Sequence, residues 1–551
     1  MPKNRGADLL VNAFEKQAVT TIFTLSGNHI MPIFDAVIER HIRLIHTRHE
    51  AAAVHMADCF SRLTGKVGIA MVTGGPGHAN AVSALYTALM AEAPVILLSG
   101  HAPNNQLGKG AFQEIRQADI AAPLCKASWT CAGSEFLSAD FHLACQIALA
   151  GRPGPVHLSL PSDALENTFV GEESAQASPS APKALNLHPL APNTKITDEI
   201  ISLLQQAKKP LILSGASAAH THEARYQELG RLLQIPCIAM QSPRGIADPS
   251  LGSFTEIIEQ ADLVLLLNKR VDFTLKFAAT PPFAKETRFI QLESDPEEIQ
   301  RAKSALKERL VISSQADLLP SIEALIQTTQ SKPATLLQDP NWYSSVQAAI
   351  SYRPTSWKTA ESKTPQRVHP ANALLPLQAI LDSHPDSILV ADGGEIGQWA
   401  QACLHAPHRV LNGVAGSIGA SIPFAVAAAI TKPNVPVVAV LGDGTFGFHS
   451  AEFDTAVRHQ APFIAVIGND ACWNAEYQIQ LREYGQERAK GCDLLPTRYD
   501  QVCVAFGGAG ELVTQAEDVI PAAVRLQESQ LPACLNILIE GLPAPNLKRP
   551  N

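Results

Sequence analysis

The sequence lacks the patterns of several protein classes. Its ten cysteines are scattered without a C-x-x-C pair, so we expect neither a zinc site nor a disulfide framework, and a reducing compartment is the simplest interpretation. No basic block offsets the net charge of −9, which argues against a general nucleic-acid-binding protein. The N-terminus has no long apolar core like that of a signal peptide. These absences predict a cytoplasmic protein that binds neither nucleic acid nor membranes.

One long uncharged stretch, 414–431, has the length of a membrane span. It is rich in Gly, Ala and Ser and contains Pro423. We therefore interpret it as a helix packed closely inside an α/β domain.

The length and composition predict three globular domains. The chain has 551 residues, of which 46% are apolar and 17% charged, which is more than one ordinary domain and ample for a core. Two stretches rich in proline and polar residues, 171–195 and 331–369, are typical of linkers. They predict domains over residues 1–170, 190–330 and 365–545.

Short apolar runs alternate with amphipathic stretches in all three segments. The runs are TIFTL, IRLIHT, VGIAMVT and PVILLSG in the first segment, PLILSG, ADLVLLL and RFIQL in the second, and SILVAD, VPVVAVLG, PFIAVIG and LNILIEG in the third. Uniformly apolar, β-branched runs are typical of parallel strands covered on both faces. The predicted fold is α/β, with three doubly wound parallel-sheet domains.

The strand VPVVAVLG ends in the clearest motif of the chain, Gly442-Asp443-Gly444-Thr445. Gly444 and Thr445 would bring backbone N–H groups to a phosphate at a helix start. Asp443 would repel that phosphate unless a cation such as magnesium joined them. Asp470 follows the next strand, and parallel strands end at the same edge of a sheet, so both carboxylates are predicted to meet one magnesium ion.

Two other interpretations of this motif stay open on the residues alone. Residues 442–447 also match G-x-G-x-x-G, which would suit a nicotinamide-dependent dehydrogenase, although a lone match is weak. Asp443 would otherwise simply cap a helix, between glycines that make a tight turn.

The motif nevertheless resembles that of the thiamin-diphosphate enzymes, in which G-D-G is followed by an Asn-rich strand end. The sequence resembles their acetolactate synthase and benzaldehyde lyase group along nearly its whole length. The family usually ends the motif with Asn-Asn, whereas this chain has Asn469-Asp470. The resemblance implies thiamin diphosphate and Mg²⁺ as cofactors, with Asp443, Asp470 and the backbone carbonyl of Cys472 as magnesium ligands.

A second resemblance lies at Glu50, within the segment H-E-A-A-A at 49–53. By itself Glu50 is a first-turn glutamate favoured by the helix dipole. By resemblance it is the catalytic glutamate, which contacts the aminopyrimidine so that the coenzyme can lose its C2 proton.

The resemblance also assigns residues around the coenzyme. Gly416 and Ile418 would support its bent shape, with Ile418 as an apolar wedge. Without the resemblance, Ile418 would be interpreted as a residue of a helix core. The remaining predicted coenzyme contacts are Gly442, Gly444, Thr445, Gly397, Gln398, Pro76 and Asn80.

Three polar residues are predicted to face the reacting carbon. Asn28 and His29 follow the strand TIFTL, and Gln113 stands in an F-Q-E segment like that of the family. His29 would relay protons because its pKa lies near working pH, although a single His is more often structural.

The resemblance implies an enzyme acting on small keto acids or aldehydes. A 2-keto acid or 2-hydroxy ketone would lose carbon dioxide or an aldehyde, and a proton or second carbonyl compound would then be added. The leading prediction is an acetolactate-synthase-like carboligase, and the alternatives are an acyloin lyase, a 2-hydroxyacyl-CoA lyase and a silent cofactor-binding homologue.

Two further expectations concern the assembly and the central domain. Family members build each active site across a subunit interface, so we expect a homodimer or homotetramer. The flavin-associated segment of acetolactate synthases is missing, and only ADPSLGSF stands there, which argues against FAD.

Overall fold

Three parallel β-sheets form the framework of the protein. The computed structural model describes residues 5–168, 173–183, 187–331 and 337–549. Every strand pair within the three sheets is parallel, and helices cover the sheets. The expected fold class is confirmed.

The first sheet has the strand order β2-β1-β3-β4-β6-β5. Its strands are β1 (Thr21–Thr24), β2 (Arg43–His46), β3 (Gly68–Val72), β4 (Val95–His101), β5 (Ala127–Thr130) and β6 (Val156–Pro161). Its helices are α1 (Gly6–Lys16), α2 (Met31–Ala36), α3 (Glu50–Thr64), α4 (Pro76–Met90), α5 (Gln117–Ala121), α6 (Leu137–Leu149) and α7 (Ser162–Glu166). All residues of β3, β4 and β6 are buried, as expected for parallel strands covered on both faces.

The central sheet has the order β11-β10-β9-β7-β8. Its strands are β7 (Pro210–Ser214), β8 (Cys237–Ala239), β9 (Leu263–Leu267), β10 (Arg288–Glu293) and β11 (Leu310–Gln315). Its helices are α8 (Thr194–Gln206), α9 (Ala216–His220), α10 (Glu223–Leu233), α11 (Phe254–Ile258), α12 (Pro296–Leu306), α13 (Leu318–Ser331) and α14 (Trp342–Ser351). The order reverses between β7 and β9, so a ligand crevice is expected beyond their carboxyl ends.

The third sheet has the order β13-β12-β14-β15-β17-β16. Its strands are β12 (Ile388–Ala391), β13 (His408–Leu411), β14 (Val437–Gly442), β15 (Ile464–Asn469), β16 (Ala509–Val513) and β17 (Ala533–Leu538). Its helices are α15 (Pro370–Leu374), α16 (Gln378–Asp382), α17 (Gly394–Cys403), α18 (Ser421–Thr431), α19 (Asp443–His449), α20 (Glu452–Arg458), α21 (Asn474–Tyr484), α22 (Tyr499–Ala505) and α23 (Val519–Glu528). The first and third sheets thus share one strand order, which fits duplication of a domain.

The first and third domains are joined by a continuous apolar core. Helix α3 packs against α18, and one cluster of buried residues runs through both. Within this interface Arg62 forms a buried ion pair with Asp58 at 2.6 Å and donates to the carbonyl oxygen of Leu411 at 2.6 Å. The two domains therefore form one packed unit within the chain.

Part of the second expected linker is folded into the central domain. Residues 342–351 form α14, and Trp342 is buried and donates its Nε1–H to the carbonyl oxygen of Pro210 at 2.7 Å. The interpretation of 331–369 as a linker is wrong for residues 342–351. The few apolar residues of this helix stand among polar neighbours, so the sequence does not show a clear helical pattern there. Residues 332–336, and residues 169–172 and 184–186 around the first expected linker, lie outside the described parts of the chain.

The uncharged stretch 414–431 ends in α18, whose residues from Ser421 to Ala429 are buried in the protein interior. Among the described residues, no helix has both the length and the apolar character needed to cross a membrane.

Candidate active site

Two acidic residues lie at the carboxyl edge of the third sheet. Strands β14 and β15 are neighbours, with Gly442 paired to Gly468. Asp443 is the first residue of α19, and Asp470 directly follows β15. The structure therefore brings together the two carboxylates that the strand pattern placed at one edge.

The electrostatics of this pair suit a divalent cation. Burial raises the pKa of Asp443 to about 6. Burial, and then the charge of Asp443, raise the pKa of Asp470 to about 7. Oδ1 of Asp443 accepts from the N–H of Gly444 at 2.9 Å, whereas its buried Oδ2 has no partner among the described residues. Two neighbouring carboxyl groups, one with an unpaired oxygen, form the hard oxygen donor set that magnesium prefers.

The segment after Asp470 closes over the start of α19. Ala471 has a φ of +58°, and the ring of Trp473 covers Gly444 so closely that a Cβ there would lie 2.7 Å from it. Cys472 lines a small cavity beside Asp443 at this edge of the sheet. In the described parts of the chain, no three His, Cys, Asp or Glu side chains group as metal ligands, so a set of two carboxylates and the Cys472 carbonyl stays a prediction.

A buried carboxylate, Asp392, ties two loops of this site together. It accepts from the backbone N–H groups of Gly393 at 2.6 Å, Gly419 at 3.1 Å and Ser421 at 2.9 Å. These bonds connect the end of β12 to the loop before α18. The sequence analysis did not single out Asp392, although its position at the end of an apolar strand was a usable signal.

Ile418 projects from that loop onto the end of β12. Its Cγ2 lies 2.3 Å from the position that a Cβ on Gly393 would take, so only glycine fits there. Ile418 also lines the cavity beside Asp443. Gly416 has a φ of +68° and open space around its Cα, which leaves its backbone accessible to a ligand.

The other predicted coenzyme contacts divide into two groups. Gly442, Gly444 and Thr445 line the cavity, together with Gly394 and its neighbours up to 396. Gly397 instead packs on the carbonyl of Asp392, where a Cβ would lie 1.7 Å from the oxygen. Gln398 bonds Glu395 at 3.2 Å. Neither Gly397 nor Gln398 lines this cavity, and their role stays a prediction.

Glu50 begins α3 at the carboxyl edge of the first sheet. His49 caps the helix by accepting from the N–H of Ala51 at 3.1 Å. Oε2 of Glu50 accepts from Nδ2 of Asn80 at 3.1 Å, and Oε1 lies beside Gly77 in the first turn of α4. The carboxylate thus rests on the amino end of a neighbouring helix, where the dipole favours its charge.

Gln113 lies against the turn that leads into α4. Its backbone, with a φ of +58°, packs on Gly75, where a Cβ would lie 2.6 Å from the Gln113 carbonyl oxygen. Pro76 begins α4 directly after this turn. Buried Gln117, which the sequence analysis missed, holds the turn by accepting from the N–H of Gly75 at 2.8 Å.

His29 is buried at the same edge. Its Nδ1 bonds the hydroxyl of Thr73 at 3.1 Å, and its ring stacks on exposed Phe112 at 6.3 Å. Burial, and then the nearby His101, lower the pKa of His29, so the imidazole is neutral near pH 7. Asn28 is exposed beside it.

Within one chain these residues form two separate half-sites. The cavity at Asp443 measures about 50 Å³, and its lining comes only from the third domain: residues within 394–396, 442–445 and 468–476, and Ile418. Glu50 and Gln113 belong to the other half-site, on the first domain. No described residue of the first domain lines the cavity.

Comparison with known families decides the class of enzyme. The N-terminal TPP binding domain of thiamine pyrophosphate enzymes matches residues 4–120, their central domain matches 197–319, and their C-terminal TPP binding domain matches 392–537. This chain belongs to the thiamine pyrophosphate enzyme family. The dehydrogenase interpretation of residues 442–447 is set aside, because they lie within the C-terminal TPP-binding match.

Relatives with two different activities match nearly the whole chain. The 2-hydroxyacyl-CoA lyase 2 of Danio rerio is 31% identical over 97% of this chain and 91% of its own length. The acetolactate synthase large subunit IlvG of Mycobacterium tuberculosis is 30% identical over 97% of this chain and 95% of its own length. The protein is therefore a thiamine-pyrophosphate-dependent enzyme that forms or cleaves carbon–carbon bonds.

In the central domain of this thiamine pyrophosphate enzyme, a carboxylate from the first domain lies at the switch point, beside a cavity of about 570 Å³ that Ser217 lines. Glu92, from the first domain, accepts from the N–H and the hydroxyl of Ser217 at 3.0 and 2.6 Å, and a Cβ on Gly215 would lie 2.6 Å from its Oε1. Arg152 bonds both Glu92 and, at 2.5 Å, Glu293 at the end of β10. Although burial alone would raise it, Arg152 and Ser217 hold the pKa of Glu92 below its usual value.

Proposed function

We propose that the protein is a thiamin-diphosphate- and Mg²⁺-dependent carboligase acting on 2-keto acids, with pyruvate as the first substrate to test. The observation that carries the cofactor assignment is the buried pair Asp443 and Asp470, with its unpaired Oδ2 atom. This pair fits a magnesium ion at the sheet edge where Gly444 and Thr445 begin a helix. The acetolactate synthase relatives support the substrate class.

We assign each residue a role in holding the coenzyme. Asp443, Asp470 and the Cys472 carbonyl would hold Mg²⁺ against the diphosphate, whose other contacts would be backbone N–H groups at the start of α19. Ile418 would lie beneath the coenzyme as a rigid apolar support. Trp473 would exclude water above Gly444.

Thiamin diphosphate, when bound, supplies the nucleophilic carbon that attacks the substrate carbonyl. Glu50 would hold a proton at its carboxyl group beside the aminopyrimidine, and Asn80 would orient that carboxyl through the bond it already makes. Gln113 and Asn28 would position the substrate oxygens. His29, which is neutral near pH 7, would exchange a proton with the substrate.

We also propose that the active site is completed by a second copy of the chain. The separation of the Glu50 half-site from the cavity at Asp443 supports this arrangement, because the coenzyme must contact both. The smallest assembly that satisfies both ends of the coenzyme is a homodimer.

A flavin has no part in this proposal. Glu92 occupies the place beside Gly215 and Ser217 where a dinucleotide would present its diphosphate. Glu92 already accepts from the N–H and the hydroxyl of Ser217, so these donors are not free to hold a phosphate. We therefore propose that FAD is not a cofactor of this enzyme.

A second candidate is a 2-hydroxyacyl-CoA lyase, which the relatives of that name favour. Product analysis by NMR separates the two: the protein is incubated with thiamin diphosphate, Mg²⁺ and either pyruvate or a 2-hydroxyacyl-CoA. Acetolactate formed only in the complete mixture supports the leading proposal. An aldehyde released only from the thioester supports the second. Product that also forms with Glu50→Gln or without metal would contradict both.

A further inference from the structure

The segment 46–49 leads from the end of β2 into Glu50, the first residue of α3. The side chains of Arg48 and His49 within it are exposed. Exposed side chains contribute little packing, so the position of this segment depends on the partners of its backbone N–H and C=O groups. These partners therefore also decide where Glu50 lies.

Helix α20 of the third domain, together with the residue that follows it, supplies three of these partners. Oε1 of Glu452 accepts from the N–H of Arg48 at 3.0 Å. Nη2 of Arg458 donates to the carbonyl oxygen of His46 at 2.7 Å. Nε2 of His459, directly after α20, accepts from the N–H of His46 at 3.2 Å. The third domain thus holds the backbone of segment 46–49 at two points.

The protonation states of these side chains suit their bonds. Burial, and then the charge of Arg458, lower the pKa of His459 to about 4, so its imidazole is neutral near pH 7 and can accept. Glu452 is fully buried, and its Oε2 accepts from the hydroxyl of Thr455 at 2.7 Å, which fixes the orientation of the carboxyl group. Although burial raises the pKa of Glu452 to about 7, a carboxyl group keeps an acceptor oxygen in either protonation state.

A ring contact adds a second link between segment 46–49 and the third domain. The ring of His49, which caps α3, meets the ring of His449 edge-to-face at 5.6 Å. His449 is buried at the end of α19, and its Nδ1 donates to the carbonyl oxygen of Gly419 at 2.9 Å. Helices α19 and α20, which follow Asp443, therefore both contact the segment that ends at Glu50.

We propose that Glu452, supported by Arg458 and His459, is a positioning residue that holds the Glu50 carboxyl group in place for its proton-holding role. The inference rests on the role proposed above for Glu50. None of the three residues lines the cavity at Asp443, so they act through Glu50. A displacement of Glu50 by about 1 Å is expected to slow proton transfer about a hundredfold, because the reacting groups must stay aligned.

Two measurements test this inference on the full-length protein. Mass spectrometry follows deuterium uptake by the backbone amides of residues 46–49 before coenzyme is added, and NMR follows the exchange of the C2 proton of bound thiamin diphosphate in D₂O. Glu452→Ala should speed the deuterium uptake, because the Arg48 N–H loses its acceptor. It should also slow C2 exchange at least about tenfold. Glu452→Gln keeps an acceptor oxygen and should restore most of both rates.

A double-mutant cycle separates positioning from a merely structural role. In a Glu50→Gln background, adding Glu452→Ala should slow C2 exchange no further, because both changes act on the same group. General loosening of the domain would instead slow exchange by the same factor in both backgrounds.

Arg458→Ala is the second variant, and the same cycle applies to it if Glu452→Ala does not fold. Arg458 is exposed, so its removal leaves the core intact, and both rates should shift in the same directions as in Glu452→Ala. Arg525→Ala is the matched control and should change neither rate. Both arginines form surface ion pairs, Arg458 with Asp454 at 2.8 Å and Arg525 with Glu511 at 2.6 Å.

Two results would overturn the inference. One is wild-type deuterium uptake and C2 exchange in both Glu452→Ala and Arg458→Ala. The other is equal slowing of C2 exchange with and without Glu50→Gln. C2 exchange as fast in Glu50→Gln as in the wild type would instead overturn the proposed role of Glu50, and the inference with it.

Discussion

Asp392 accepts three backbone hydrogen bonds that hold the loop before α18, the loop that carries Ile418. Substitution of Asp392 should therefore affect this loop. In Asp392→Asn the shape is kept, but one of the two acceptor oxygens becomes an NH₂ group. Oδ2 accepts from Gly419 and Ser421, and Oδ1 accepts from Gly393. Whichever way the amide turns, its NH₂ group faces at least one backbone N–H.

The expected cost follows from these contacts. A hydrogen bond to a charged group contributes about 1.5–3 kcal/mol, and a buried unpaired donor costs a similar amount. We therefore expect Asp392→Asn to lower the free energy of unfolding by about 2–3 kcal/mol. Because Gly419 adjoins Ile418, the loop that supports the coenzyme should loosen, and thiamin diphosphate should bind about tenfold to a hundredfold more weakly.

Coenzyme affinity is measured by titrating apoenzyme with thiamin diphosphate at saturating Mg²⁺. The fluorescence of Trp473, which covers Gly444, reports binding, and thermal unfolding reports stability. Asp386→Asn is the control, because the Asp386 side chain is 58% exposed and lies at the other end of the same strand. A variant at Asp392 with wild-type affinity and Tm would refute the reasoning.

Three further predictions concern other parts of the molecule. Glu50→Gln should keep coenzyme binding but lower turnover by about a hundredfold or more, measured by product formation against equilibrium binding in the same preparation; turnover near the wild-type rate would contradict its proton-holding role. Purified protein should carry no flavin absorbance, and added FAD should not bind, because Glu92 already accepts from the Ser217 N–H at the start of α9; stoichiometric FAD binding would contradict this reasoning. Burial raises the pKa of Glu452 to about 7, so its contribution to stability is present below the unfolded pKa near 4.5 and is lost as pH rises through 7. Glu452→Gln should therefore flatten the fall in Tm between about pH 5 and pH 8, and an unchanged pH profile would show that Glu452 does not titrate in this way.

The strands that we predicted from apolar runs are present in the structure, because these runs form the buried interiors of the sheets. Strand β4, for example, is buried along its whole length. Edge strands such as β11 and β16 went unpredicted, since most of their residues are only partly buried and no long apolar run marks them. Strand β6 is fully buried but carries His157 and Ser159, which interrupt its apolar pattern.

From the sequence by itself, apolar periodicity predicted three domains and the α/β fold class, and the resemblance of two short motifs to those of known enzymes indicated the coenzyme family. The tertiary structure alone decided which groups meet across long separations. Asp392 reaches Ser421, and Glu92 reaches Ser217. Arg62 reaches the carbonyl oxygen of Leu411 in the third domain. Such contacts arise from packing one folded element against another, and local sequence carries no periodic signal for them.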